Sequence, residues 1–379
     1  MRSVKTKLFS LALAVSMVLA LAGCNMSAPS TVGSIGGVEI PAGIYLMAQY
    51  NAYNTASGVA NLATGETASD VKAVLKAECT GTIGDEEVTA TGSEYVARLT
   101  TRSLEYYAAV EKEFADRNGV LDDAATAEAA NSADNLWSSN GDLYTANGIA
   151  KSTVETYLLN AQKAKALLKM TYGADGSAPV TDDEYTAYVN DDCYYIEAVQ
   201  FPLMDYSSYT FADDDQKAAI MATAENCLAE LSETATAETA SNSALYTAAM
   251  TYVPQAMSAL GTDMDASQAV YYAASQLYTP DDLASYGSDE YNNLTDPLDE
   301  AGLNNWTVIN LGTTILVARR IDPFKTYSVE DLNNMYDLLS DMKLTDLQND
   351  LYAAGAALEH DLNSSAMNTY SAAKIKKNV

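Results

Sequence analysis

The chain has 379 residues, enough for a sizeable core and for two or three domains. Hydrophobic residues make up 48%, and 21 Lys and Arg face 51 Asp and Glu, a formal charge of −30; this excludes a disordered chain and argues against nucleic acid or a basic membrane patch as the binding mode. The single histidine, His360, excludes HExxH zinc sites and any metal cluster built on two imidazoles.

Arg2, Lys5 and Lys7 form a short positive region, followed by an apolar run over 8–21 of signal-peptide length. The run is too short to favour a membrane-spanning helix. It ends in Leu21-Ala22-Gly23-Cys24. This resembles the lipobox of bacterial lipoproteins, in which a peptidase cuts before the cysteine and the thiol carries diacylglycerol. The resemblance implies Cys24 as the lipid-attachment residue, 1–23 as a signal peptide and 24–30 as a polar tether. The plainer alternative is an ordinary secretory signal with a chance cysteine. Removing 1–23 takes away three basic and no acidic residues, so −30 becomes −33. The expected location is the extracytoplasmic face of a cell membrane, held there by lipid. Cys79, Cys193 and Cys227 remain; a Cys193–Cys227 disulfide stays open, while the apolar helix face around Cys227 suggests a buried, inert thiol.

The segment 32–40 predicts a hairpin turning at Gly36-Gly37, and Pro41 then suits the first turn of a helix to about residue 53. Residues 55–92 are rich in Thr, Ala and Gly and suggest only a short helix near 69–77. The apolar spacing predicts a long helix over 93–118 with Gly119 as its stop, then an Ala-rich helix over 121–138. Ser152 and Glu155 have capping-box spacing and open a helix to about 172. Thr181 and Glu184 repeat that spacing after a boundary at 174–179. A strand is expected over 194–203. Asp213-Asp214-Asp215 reads as a helix start, because it lacks the alternating ligands and distal Glu of a calcium loop. Helical stretches are expected at 241–250 and 265–278, and a strand at 314–320. Ser328 caps a helix to about 342, another follows over 345–356, a closing strand covers 357–362, and the lysines at 374–377 read as a solvated tail.

The order of these features resembles the foldases of the PrsA and SurA type. In that family a V-x-x-V-N-G-x-x-I hairpin runs into the first helix, as Val32-Gly33-Ser34-Ile35-Gly36-Gly37-Val38-Glu39-Ile40 does here. The segments 106–119 and 147–153 are similar to later helices of the same domain. Val180-Thr181-Asp182-Asp183-Glu184-Tyr185 looks like the opening of a parvulin domain. Residues 195–201 then stand where its first strand would lie, 213–231 where its first helix would, and 311–317 where its last strand would. The resemblance implies an α+β fold: a mainly helical chaperone domain over 31–175, completed by C-terminal helices at 326–379, with a small parvulin-like domain inserted at 180–325. It implies unfolded or newly secreted proteins as partners.

Parvulin isomerases carry a histidine in the first strand and another in the last. Here Gln200, or its neighbour, and Thr314 stand at those places, and 180–325 contains no histidine. The expected pocket is therefore degenerate and its prolyl isomerase activity lost or marginal. No motif for a nucleotide, a catalytic serine or a cofactor occurs in a supporting context, so no cofactor is expected. The paired aspartates read as caps and solvated turns, and His360 as structural. Met and Tyr stripes read as core, with some of them lining a client cradle. Two rival readings remain open: an active but diverged isomerase, and a non-chaperone ligand-binding lipoprotein.

Overall fold

A computed structural model describes residues 29–205, 208–236, 242–284 and 288–377. Cys24 and the apolar run before it lie outside these residues. The fold is α+β and mainly helical, with small antiparallel sheets.

The N-terminal hairpin pairs β1 (Thr31–Ile35) with β2 (Val38–Pro41). Gly36 and Gly37 take φ of 57° and 81°, the positive pair that a tight two-residue turn requires. Helix α1 (Ala42–Gly58) follows, with Pro41 at its N-cap. It buries Ile44, Tyr45, Met47 and Tyr53 on different sides, as a helix apolar all round must. The segment without a clear pattern holds β3 (Ala60–Asn61), α2 (Val71–Lys76), β4 (Glu78–Ile83) and β5 (Glu86–Thr91). The β4–β5 hairpin was not legible because only Cys79 and Val88 turn fully inward from its Thr- and Glu-rich strands.

Helix α3 (Gly92–Asp116) opens on a Thr91–Glu94 capping box. Its end corrects the expected stop. Asn118, not Gly119, takes the left-handed φ of 54°, and the Gly119 amide reaches back 2.8 Å to the Phe114 carbonyl. Helix α4 (Asp123–Ala146) is capped by Asp122. Helix α5 (Lys151–Tyr172) begins before the predicted cap: the Val154 amide already bonds the Ala150 carbonyl. Ser152 therefore lies inside the first turn, and the Ser152–Glu155 box does not form.

Next come α6 (Asp182–Asp191), opened by the Thr181–Glu184 box, and β6 (Tyr194–Pro202). A small hairpin, β7 (Met204–Asp205) with β8 (Thr210–Phe211), precedes α7 (Asp214–Thr234) and α8 (Asn242–Ala259). The helix expected over 265–278 is instead a 3-10 turn (Ala269–Tyr272) and a strand, β9 (Ala273–Tyr278). Pairing with β6 overrides the local Ala-rich preference. Then follow α9 (Pro280–Ala284), α10 (Ser288–Ala301), β10 (Thr307–Asn310) and β11 (Thr314–Ile321). Ser328 and Asp331 box the start of α11 (Val329–Asn333), and α12 (Tyr336–Ala356) runs on without the break expected after 342. The chain ends in β12 (His360–Leu362) and α13 (Ser364–Thr369).

The described residues divide into two compact units: 29–167 with 348–377, and those of 168–347. In the first, β12 joins β1 antiparallel, with Ile35 opposite His360 and Gly33 opposite Leu362. A side chain at Gly33, where φ is 120°, would stand 2.2 Å from the Asp361 carbonyl oxygen. One core packs β1 and β2 on α1, α3 and α13; another packs α1 on α2, β4, β5 and α3. The C-terminal lysines are not a solvated tail. Asn147 exchanges two hydrogen bonds with the Lys376 backbone, and Lys377 donates to Asn54 while lying 5.1 Å over the Tyr50 ring.

In the second unit, one antiparallel sheet has the order β10-β11-β6-β9. Its two faces follow from strand alternation. Val199, Phe201, Ile315 and Val317 pack on α7 and α8. Ile196, Ala198, Leu316 and Ala318 pack on Leu283, Leu294 and Leu298 of α9 and α10.

Candidate functional site

The first and last strands of the second unit's sheet, β6 and β11, are direct neighbours at its centre. This brings the two predicted pocket positions onto one face, though not opposite each other. Gln200 faces Leu316 across the pair, and Thr314 faces Pro202, one step along the ladder on the same side. Both side chains are half-buried. The Thr314 hydroxyl is already committed, donating 3.1 Å to the Phe201 carbonyl. The residues around them on that face are aliphatic. The register therefore sets no acid, imidazole or thiol beside Gln200 and Thr314.

The nearest nucleophiles in sequence are silent. Cys193 precedes β6, and Cys227 sits on the buried stripe of α7; with Cys79 they are free and buried, so the Cys193–Cys227 disulfide left open by the sequence does not form. Burial pushes both the Cys193 and the Cys227 thiol up to about 12, with neighbouring carboxylates adding to the effect. At neutral pH they stay protonated and unreactive.

The other face holds a feature that the sequence reading missed. Glu197 and Arg319 stand directly opposite each other on β6 and β11, both fully buried. Arg319 Nε donates to Glu197 Oε2 at 2.8 Å, and Nη1 donates to the Ala235 carbonyl at 2.9 Å. Nη2 lies 2.8 Å from Oε2 but outside hydrogen-bond geometry. The Trp306 indole N–H donates to the same Ala235 carbonyl, and its ring lies 4.8 Å from the guanidinium. Ala235 is the C-cap of α7, so the cation sits at the negative end of that helix. The signal was present: an acid and a base in the middles of two apolar strands. The arrangement fastens α7 to the sheet and leaves no acid or base free for chemistry.

A carboxylate-rich corner lies between α6, α9 and α12. Burial, then Asp281 and Asp282, raise the Asp341 carboxyl, against hydrogen bonds from Thr279 and the Asp281 backbone. Tyr188 Oη is 3.5 Å from Asp341 Oδ2. Among the described residues no three His, Cys, Asp or Glu side chains are set to hold a metal ion, and no helix is long and apolar enough to cross a membrane. His360 lies in the first unit, where its Nε2 is 3.4 Å from Glu105 Oε1.

Tyr45, Tyr53, Tyr95, Tyr107, Tyr185 and Tyr195 are core residues. Most exposed large apolar groups lie in the second unit, namely Tyr209 and Phe211 on the β7–β8 hairpin, Tyr246 and Met250 one turn apart on α8, Tyr271, 86% exposed, just before β9, and Leu303; Val120 and Tyr157 are exposed in the first. A shallow groove of about 370 Å³ in that unit is lined by Met170, Met335, Tyr336 and Leu339, with Lys169 and Asp175 at its rim.

No protein-family model matches the chain, and no curated protein matches it. Among solved structures it is similar to the crystal structure of foldase protein PrsA from Streptococcus pneumoniae, at 12% identity and a TM-score of 0.32, over 77% of this chain and 98% of that one.

Proposed function

We propose that this chain is a foldase- or holdase-type chaperone, anchored by lipid on Cys24 at the extracytoplasmic face of a membrane. It binds unfolded or newly secreted polypeptides and does not isomerise prolyl bonds. The observation that carries this reading is the pairing of β6 with β11. The resemblance to parvulins requires the first and last strands to share a pocket, and these strands do lie side by side. At that place stand Gln200, Thr314 and aliphatic side chains. Prolyl isomerisation has a barrier of roughly 18–20 kcal/mol. Lowering it takes polar groups that disfavour the planar amide, and the Thr314 hydroxyl is tied to a strand carbonyl.

Binding an unfolded chain needs only apolar surface and solubility. The exposed aromatics of the second unit supply the first. The surplus of negative charge, −33 once 1–23 are removed, supplies the second, since it keeps a sticky surface from self-association. Anchoring near the site of secretion would raise the chance of meeting such chains.

Two measurements separate this reading from its rivals. In a proline-limited refolding reaction the full chain should give no acceleration; acceleration would establish a diverged isomerase instead. The full chain should also suppress aggregation of an unrelated unfolded client, which a receptor for small ligands would not do. The anchor is tested by Cys24→Ala, which should move the protein from the membrane to the soluble fraction.

A further inference from the structure

Unpaired sheet edges invite other chains, and proteins usually blunt them with charge, proline or shortness. Most edges here are blunted. Strand β2 carries Glu39 and ends in Pro41, and β5 opens with Glu86-Glu87. Strand β12 has three residues, two of them His360 and Asp361, and β10 has four residues. Strand β9 is different: six residues, Ala-Ala-Ser-Gln-Leu-Tyr, with no charge and no proline. It lies at the end of the sheet, paired only with β6. Among the described residues, the Ala273 amide turns back to the Val270 carbonyl, and the backbone of 274–277 makes no hydrogen bond on the side away from β6.

The ends of this strand are acidic. Asp263 and Asp265 precede it, Asp281 and Asp282 follow it, and all four are exposed. Of the cations of this unit, Arg320 pairs with Asp299, Lys343 with Asp346 and Lys217 with Asp214, Arg319 lies in the core, and Lys169 lies over the Tyr336 ring. A second copy of the chain would set these carboxylates against their own kind, which disfavours edge-to-edge pairing of two copies. A segment with Lys or Arg beside its extended stretch would find complementary charge at both ends.

We propose that β9 is a docking edge for an extended, lysine- or arginine-flanked polypeptide segment, which adds to the sheet as a fifth strand. Main-chain hydrogen bonds would supply most of the affinity, so many sequences fit. The aspartates would select cationic flanks and steer approach. The occupant's identity as an unfolded client rests on the chaperone reading above.

The probe is a synthetic peptide of alternating Val and Thr, flanked at each end by a pair of lysines. Amide hydrogen exchange is followed on the full chain with and without it. The expected result is slowed exchange at 274–277. A peptide N-methylated on alternate residues should give no protection, because it cannot complete the ladder. The double charge reversal Asp263→Lys/Asp281→Lys, at two exposed side chains, should weaken binding about tenfold, or about 1.4 kcal/mol. Unchanged exchange at β9, protection confined to other segments, or equal binding of the N-methylated peptide would overturn the proposal. Slowed exchange without peptide, together with a dimer mass, would assign the edge to a second copy and also overturn it. Client aggregation is measured on the same samples. Suppression without protection at β9 removes this edge and keeps the chaperone reading; protection without suppression does the reverse.

Discussion

Replacing Arg319 by Met removes a buried cation while keeping most of its stem. The structure fixes what is lost. The Nε bond to Glu197 and the Nη1 bond to Ala235 disappear, and the Glu197 carboxylate is left in a site where its side chain is 2% exposed. The Ala235 carbonyl keeps its bond from the Trp306 indole at 3.2 Å, so the main cost is the uncompensated charge. Breaking a buried pair from one side costs about 3–5 kcal/mol. Replacing both partners with uncharged groups costs much less, so Glu197→Gln/Arg319→Met should recover about 2 kcal/mol or more of the loss. The assay is urea unfolding followed by the fluorescence of Trp306, which touches this cluster, in a Trp137→Phe background. A single-variant loss below about 1 kcal/mol, or a double variant no better than the single, would refute the view that the pair is desolvated and fastens α7.

Three further outcomes follow from named groups. Gly33→Ala should destabilise the first unit by about 2 kcal/mol or more, because its Cβ would meet the Asp361 carbonyl at 2.2 Å; a neutral effect in thermal unfolding would contradict the β1–β12 crossing. In a Cys24→Ser background a thiol reagent at pH 8 should find no reactive cysteine in the native chain and three in denaturant, since burial raises Cys79, Cys193 and Cys227 alike. Burial raises the Glu105 carboxyl more than His360 and Arg102 lower it. The stability tied to that proton is full at low pH and is lost as pH rises through the folded value. Glu105→Gln should therefore be at least as stable as the parent at pH 7, with the difference shrinking on acidification; a less stable variant at pH 7 would contradict the burial argument.

Local chemistry made some elements readable. The Gly36-Gly37 turn, the Thr181–Glu184 box and the apolar run of β11 each carry their instruction within a few residues. What was misread depended on distant partners. Strand β9 is Ala-rich and becomes a strand only because β6 offers an edge. The lysines at 374–377 look solvated until Asn147 and Asn54 are brought to them by the fold. That 180–325 holds no histidine could be seen from the sequence alone. The register between Gln200 and Thr314 could not, because it depends on which strand residues face each other. The Glu197–Arg319 pair escaped for the same reason, since its members lie far apart in sequence.

The claim at the centre of the account is that this chain holds unfolded polypeptide without acting on it chemically. Light scattering from an aggregating unfolded client, titrated with the full chain, tests this most directly. The account predicts suppression that grows with chaperone and saturates near stoichiometric amounts, with no ATP or metal added. Scattering unchanged at a several-fold molar excess of the full chain would contradict it.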